Sequence, residues 1–255
     1  LSATPERNDG LEKVMNFYLG DIAYKYEMKK ENEDILPVKV IKRYSKAFYR
    51  PIVVLDKGIY RLKKKTDSNL REWYIDELPF ELRPKISYHA VESKAILDER
   101  TIEIVCRDIV EEFNRGRNMI VFFNQKKHCK VYYDYLRVTH KIPTEKIQLY
   151  YGDSKESVEE MKEKAENGDV RITIATYSIA TEGTNVKAWE VAFLVGSLNN
   201  GKNVEQAVGR IRRTKEGKIN PVLVYDYRYP NVYMLKNHGY NRDLRYKKLK
   251  FQIEP

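Results

Sequence analysis

Arg115-Gly116-Arg117-Asn118-Met119-Ile120-Val121-Phe122-Phe123 is the stretch on which the fold turns. Its last five residues are an unbroken apolar run, too short for a helix and bounded upstream by Gly116. A strand that is apolar on both sides needs cover on both sides, so it belongs inside a sheet with a helix layer on each face. Outward from it, residues 100–115 carry Ile102, Val105, Ile109 and Phe113 at helical spacing, and residues 127–138 carry Cys129, Tyr132 and Leu136. Further strands are expected at 147–151, 170–175, 191–195 and 222–225. Between the first two of these, Asp153 with Glu156 reads as a capping box for a helix that buries Val158, Met161 and Ala165 and stops at Gly168. Strands alternating with amphipathic helices predict an α/β fold, a parallel sheet with helices on both faces. Ligands of such sheets sit at the carboxyl ends of the strands.

The last helix of the series falls on Asn203-Val204-Glu205-Gln206-Ala207-Val208-Gly209-Arg210-Ile211-Arg212-Arg213. If the stretch is helical throughout, Gln206, Arg210 and Arg213 share one face while Val204, Ala207, Val208 and Ile211 form an apolar stripe opposite. Arg212 points away from the trio. Two guanidiniums and an amide on one face suit an oxyanion, because guanidinium forks match phosphate oxygens bidentately and stay charged. A solvated basic face is the bland alternative. Gly209 beside the trio weakens the helix and allows close approach to its backbone.

Charge fits an anionic partner. The 255 residues include 47 Lys and Arg against 37 Asp and Glu, a net charge of +10. Polyanions are the natural partners of such a surface. Hydrophobic residues make up 42%, enough for real cores. Cys106, Cys129 and four scattered histidines give neither a disulfide framework nor metal-ligand spacing, so no metal site is expected. The chain has no apolar run of membrane length and no signal peptide. Its expected place is therefore inside a cell, in cytoplasm, nucleoid, nucleus or a virus-infected cell, and not secreted. It opens on Leu1 rather than Met, and the expectation is a piece of something longer.

Upstream of the sheet, a loop at 1–10 leads to a short helix over Leu11–Tyr18 closed by Gly20. β-like runs follow at Ile22–Tyr26 and Ile35–Tyr44. Residues 57–83 then mix charge with aromatics, among them Arg61, Lys63, Lys64, Lys65 and Trp73. The expected organisation is residues 1–26 as the end of a preceding lobe, 27–90 as a β-rich basic insertion, 91–230 as the main lobe and 231–255 as a basic C-terminal helix.

In this order, Ser2-Ala3-Thr4, Ile120-Val121-Phe122-Phe123, Tyr151-Gly152, Ala175-Thr176-Tyr177-Ser178-Ile179-Ala180-Thr181-Glu182-Gly183-Thr184-Asn185 and Gln206-Ala207-Val208-Gly209-Arg210-Ile211-Arg212-Arg213 resemble motifs III, IV, IVa, V and VI of superfamily 2 helicases. The XPB-like and UvsW-like branch is the nearest in flavour. It resembles this chain in Leu-Ser-Ala-Thr-Pro-Glu-Arg-Asn-Asp-Gly-Leu, in the Thr-Tyr form of motif V and in the Gln-x-x-Gly-Arg form of motif VI. The resemblance departs at Thr184 and Asn185, where many members have Ile or Asp, and no Walker A, Walker B or motif Ia precedes Leu1.

The resemblance implies a RecA-like C-terminal motor lobe with a small β insertion. ATP and Mg would be held mainly by a first lobe that the chain does not contain. It implies that Arg210 and Arg213 are arginine fingers and that Gln206 orients a finger or the attacking water. Gly183 and Asn185 would lie against the nucleotide. Ser2 and Thr4 would couple nucleotide state to strand grip. Thr176, Gly152 and Asn124 would contact a nucleic-acid backbone, with DNA favoured over RNA. The expected partners are nucleic acid and the first lobe of the same protein, not a membrane. The expected activity is ATP-dependent unwinding or branch remodelling by the complete protein, with these residues alone inactive. The alternative is a non-catalytic nucleic-acid-binding module on the same scaffold.

A decoy lies within the sheet region. Gly196-Ser197-Leu198-Asn199-Asn200-Gly201-Lys202-Asn203 follows a strand and precedes a helix, close to a Walker A pattern, with Val222–Asp226 as a mock Walker B. Asn203 lacks the hydroxyl that ligates Mg²⁺, and too little chain follows to complete a nucleotide-binding core. In the complete protein, Lys202→Ala is therefore expected to leave ATP binding unchanged in an equilibrium titration. Loss of ATP binding in Lys202→Ala, with Arg210→Ala unaffected, identifies this loop as the P-loop instead.

Overall fold

A computed structural model of the chain describes residues 35–151, 157–178, 186–199 and 201–254. The chain divides into two units, Leu1–Ile35 and Leu36–Pro255. The helix expected over Leu11–Tyr18, the strand expected at Ile22–Tyr26, and Ser2 and Thr4 lie outside the described residues.

In the second unit the expected alternation appears. Its main sheet contains β1 (Val38–Tyr44), β5 (Met119–Phe123), β6 (Ile147–Tyr150), β7 (Ile172–Thr176), β8 (Val191–Leu194), β9 (Val222–Arg228) and β10 (Gln252–Glu254). The order is β10-β1-β9-β8-β5-β7-β6, and every pairing is parallel. The helices are α1 (Tyr88–Ile96), α2 (Glu99–Asn114), α3 (Lys126–Val138), α4 (Val158–Glu166), α5 (Gly201–Gly209) and α6 (His238–Lys248).

The apolar run of β5 explains the layering. Met119, Val121 and Phe123 join a core with Val91 and Ala95 of α1, Val105 and Ile109 of α2, and Cys129 and Tyr132 of α3. Ile120 and Phe122, one step along the pleat, join the opposite core with Met161 of α4, Val204 and Val208 of α5, and Tyr246 of α6. All five β5 residues are fully buried. The fold is the α/β, RecA-like arrangement, with helices on both faces.

Several boundaries move. Val38–Tyr44 belongs to the main sheet rather than to an insertion over 27–90, its ladder with β9 running from Val38↔Val222 to Tyr44↔Arg228. Its alternation of buried Val38 and Val40 with half-buried Lys39 and Ile41 is that of any half-buried strand, and only the distant partner reveals its place. What stands apart is a three-stranded antiparallel sheet of β2 (Ile52–Asp56), β3 (Ile59–Leu62) and β4 (Glu72–Tyr74), in the order β3-β2-β4. It has a small core of Val53, Ile75 and Leu78. Helix α1 begins at Tyr88, where the Ser87 hydroxyl accepts from the Ala90 N–H. The helix after β6 starts at Val158 on a capping box of Ser157 and Glu160, not on Asp153 and Glu156, which lie outside the described residues.

The C-terminal basic helix forms, but part of its charge turns inward. Arg242 is 2% exposed and lies 2.9 Å from Asp226, which is fully buried and also accepts from Arg228 at 2.7 Å. Asp243 takes the same Arg228 guanidinium at 2.7 Å, and Arg245 bonds Glu205 of α5. Removing the shared carboxylate leaves the buried Arg242 without its counter-charge and Arg228 with Asp243 alone, so Asp226→Ala is expected to destabilise the chain by about 3–5 kcal/mol. Urea unfolding followed by circular dichroism measures it.

Candidate nucleotide and nucleic-acid sites

The two ends of the parallel sheet carry different chemistry. At the carboxyl edge, the loops after β5 and β8 converge on Glu92 of α1, which is completely buried. Its carboxylate accepts from the Asn124 amide, from the Gln125 amide at 3.1 Å and from the Ser197 backbone N–H at 3.0 Å. The Tyr88 hydroxyl donates to the Ser197 carbonyl at 2.6 Å, and the Ser197 hydroxyl bonds His238 Nδ1 at 2.9 Å. Burial pushes the Tyr88 phenol above its usual range. A buried carboxylate needs such donors, and here they tie together chain segments that are far apart in sequence. Glu92 sits before the first helix expected from periodicity; the sequence signal for it is Ser87, a helix N-cap five residues earlier.

Gly196 closes the same edge. A Cβ there would stand 2.8 Å from the Asn124 backbone nitrogen, 2.8 Å from the Tyr177 ring and 3.1 Å from the Phe123 carbonyl carbon. The glycine is thus required by packing between β5 and β8, not by a phosphate, which further weakens the P-loop reading of 196–203. Tyr177 reaches past it to donate to the Gly196 carbonyl at 2.9 Å.

Of the residues expected to contact nucleic acid, Thr176 and Asn124 do meet at this edge, as last residue of β7 and first residue after β5. Neither has an idle side chain. The Thr176 hydroxyl shares a 2.8 Å hydrogen bond with Ser178, contrary to a free hydroxyl, and the Asn124 amide nitrogen is committed to Glu92 and, at 3.2 Å, to the Ser197 carbonyl. Beside Asn124, α3 opens with no side-chain cap on its first N–H groups, and Lys126, Lys127 and Lys130 are exposed. Uncapped N–H groups among lysines suit an anion. Gly152, Gly183 and Asn185 lie outside the described residues.

Arg210 and Arg213 belong to the other end. Helix α5 opens after β8 at the carboxyl edge and runs back, ending at Gly209 and not continuing to Arg213. Its last turn tightens, with the N–H groups of Arg210 and Ile211 donating three residues back to Ala207 and Val208 at 3.4 and 3.1 Å. The chain then leaves to meet the start of β1: the Leu36 N–H donates to the Arg212 carbonyl at 2.7 Å, and Arg212 Nε donates to the Leu36 carbonyl at 3.1 Å. Gln206, Arg210 and Arg213 consequently do not share one helix face, because pairing with Leu36 outcompetes a helix already weakened by Gly209. The apolar stripe is as expected, with Val204, Ala207, Val208 and Ile211 all buried. Among the described residues no atom lies within 4 Å of a Cβ built on Gly209, so none of them demands the glycine.

Electrostatically this turn is a cationic corner. Arg210 is half-buried, and its affinity for a proton is lowered by burial and then by the positive charge of Arg213. Arg213 is exposed. Lys218 is pushed down to about 8 by burial, and its ammonium donates to the carbonyls of Arg213 and Lys187 at 2.8 and 2.7 Å. Lys215 pairs with Glu166 at 2.8 Å, whose other oxygen holds the N–H groups of Lys187 and Ala188. Glu190 takes the N–H groups of Ile219 and Asn118. The corner is therefore braced by backbone contacts on both flanks, while like charges are held close together.

Residues 100–215 match the family described as the helicase conserved C-terminal domain. The chain is 25% identical over 232 residues to the DNA 3'-5' translocase XPB2 of Sulfurisphaera tokodaii, covering 85% of this chain and 49% of that protein. It is 24% identical over 196 residues to the ATP-dependent DNA helicase uvsW of Enterobacteria phage T4, covering 70% and 38%. The crystal structure of T4 UvsW superposes with a TM-score of 0.54 at 15% identity, over 86% of this chain and 40% of that one. The chain thus spans less than half the length of these relatives.

Two measurements follow from the carboxyl edge. Gly196→Ala is expected to cost about 1–3 kcal/mol in urea unfolding, since backbone and ring atoms must give way. His128 and His238 are both held near 4 by burial, below an ordinary 6.5. The unfolded chain then takes up protons between pH 6.5 and 4 that the folded chain refuses. The stability from these neutral rings is complete above pH 6.5 and falls as pH drops toward 4. His238→Gln is expected to shallow that acid-side fall in thermal melts.

Proposed function

We propose that the chain carries the C-terminal RecA-like lobe of a superfamily 2 helicase and that it supplies arginine fingers to a nucleotide bound mainly by a first RecA-like lobe, while its carboxyl edge grips a nucleic-acid backbone. The observation that carries the reading is the braced corner at Arg210 and Arg213. Arg210 is half-buried and lies within the field of Arg213, so the two guanidiniums present a cationic corner to an anion. A phosphate chain suits the donor set, since guanidinium forks match its oxygens.

The corner is bonded to Leu36, the first residue of the second unit. Bound with Mg²⁺, ATP supplies the phosphoryl group whose transfer to water drives the motor. Arg210 and Arg213 stabilise the charge that grows on that group, and Gln206 orients a finger or the water. Gly183 and Asn185 complete the nucleotide contacts in this reading, with Ser2 and Thr4 coupling the lobes. Magnesium is assigned to the first lobe.

At the other edge, Thr176, Asn124 and Gly152 with the N-terminus of α3 contact phosphates without reading sequence. Lys126, Lys127 and Lys130 add the charge such binding uses. DNA is favoured over RNA because two relatives are named for action on DNA. Branch or fork remodelling is the activity suggested for the complete protein by its UvsW-like character. The rival reading, a non-catalytic nucleic-acid module, gives no role to two neighbouring arginines remote from the carboxyl edge.

In the protein carrying both lobes, Arg210→Ala and Arg213→Ala are each expected to lower the ATPase rate by on the order of 10³. Oligonucleotide affinity should survive within a few-fold. Unchanged turnover in both variants supports the non-catalytic module, and robust ATP turnover by these 255 residues alone contradicts the need for a first lobe.

A further inference from the structure

Exposed apolar surface is not spread evenly over this molecule. Nine of the fourteen large apolar side chains exposed among the described residues lie between Tyr44 and Leu82, including Phe48 at 61%, Ile59 at 71% and Phe80 at 80%. Concentration of this kind marks a contact surface rather than chance. Within it, a cleft of about 470 Å³ opens between the segment leading into β2 and the small antiparallel sheet, lined by Phe48, Arg50, Ile52, Leu62, Lys63 and Tyr74 among others. The backbone fixes its walls: Ile52 pairs with Tyr74 across the sheet, and its carbonyl takes the Lys63 N–H at 2.9 Å.

The charges around the cleft divide into two groups. Those inside it are balanced: Arg50 bonds Asp76 at 2.8 Å and lies 4.1 Å over the Tyr74 ring, and Lys63 bonds Glu72. Those beside it are a surplus, since residues 44–85 contain ten Lys and Arg against six Asp and Glu. Lys46, Lys64 and Lys65 are exposed and form no ion pair among the described residues. An apolar, aromatic floor with neutralised walls and a cationic border matches a strand whose bases are unpaired: rings stack, phosphates meet lysines. A duplex hides its base faces and has no use for the floor.

We propose that this cleft is a second strand-binding site, in which an unpaired base of a single-stranded nucleic acid stacks on Phe48 while Lys64 and Lys65 meet the flanking phosphates. The cleft shares no lining residue with the site at the loops after β5 and β8. It rests on the reading of the lobe as a nucleic-acid motor, but needs no nucleotide to operate.

Fluorescence anisotropy of the 255-residue chain with labelled oligothymidylate, oligouridylate and a blunt DNA duplex tests it. Phe48→Ala is expected to weaken single-strand binding about tenfold, leaving duplex binding and melting temperature unchanged. Lys64→Ala combined with Lys65→Ala is expected to reduce the slope of log affinity against log salt by about 1.4. Loss on oligothymidylate alone assigns the cleft to DNA, and loss on oligouridylate alone to RNA. Single-strand binding that is unaffected by either variant overturns the proposal. So does an equal loss on the duplex. Binding that needs Lys126 and Lys127 but ignores Phe48 sinks the cleft and leaves the proposed function standing, whereas a wild-type chain that binds no oligonucleotide removes both.

Discussion

The reciprocal hydrogen bonds between Leu36 and Arg212 decide what this lobe can do. They join the start of the first strand of the main sheet to the residue between Arg210 and Arg213, and so stop α5 one turn early. With Arg212 turned to the Leu36 carbonyl and the Phe251 ring, Arg210 and Arg213 stay close enough to feel each other's charge. A freely continuing helix would place the same side chains on a rotating, solvated face. The clamp makes the arginine pair part of the sheet's amino edge, at the entry point of the chain.

In the proposed function, two sites at opposite ends of one sheet suit a motor. Parallel strands are stiff conduits buried on both sides, and in this lobe both ends are fastened by buried or half-buried carboxylates that hold backbone N–H groups. Glu92 does this at the carboxyl edge, and Glu190 and Glu166 at the amino edge. The arginine corner and the loops after β5 and β8 are thus joined by packed, hydrogen-bonded structure. In the proposed function this is the route by which nucleotide state and strand grip are linked.

Legibility in the sequence tracked how local the determining interaction is. The β5 run matched residue for residue, and the stripes of α2 and α3 were readable because burial on two faces writes itself into short-range periodicity. Val38–Tyr44 was not placed, since its membership of the main sheet depends on partners in β9 nearly two hundred residues later. Arg210 and Arg213 were identifiable by residue type and by resemblance. Their position was not, because a tertiary pairing overrode helical continuation. Glu92 carries no motif and Ser197 only the mock Walker A, and the convergence of the loops after β5 and β8 is what gives them meaning.

The central claim, that Arg210 and Arg213 act on a nucleotide held by another lobe, is tested most directly by comparing two ligands of the complete protein. One is ADP with aluminium fluoride, which mimics the charge distribution of phosphoryl transfer; the other is a non-hydrolysable ATP analogue. Arg210→Ala is predicted to weaken the transition-state mimic by on the order of 10³ while changing ground-state binding only a few-fold. Equal losses for the two ligands, or no loss for either, contradict the account.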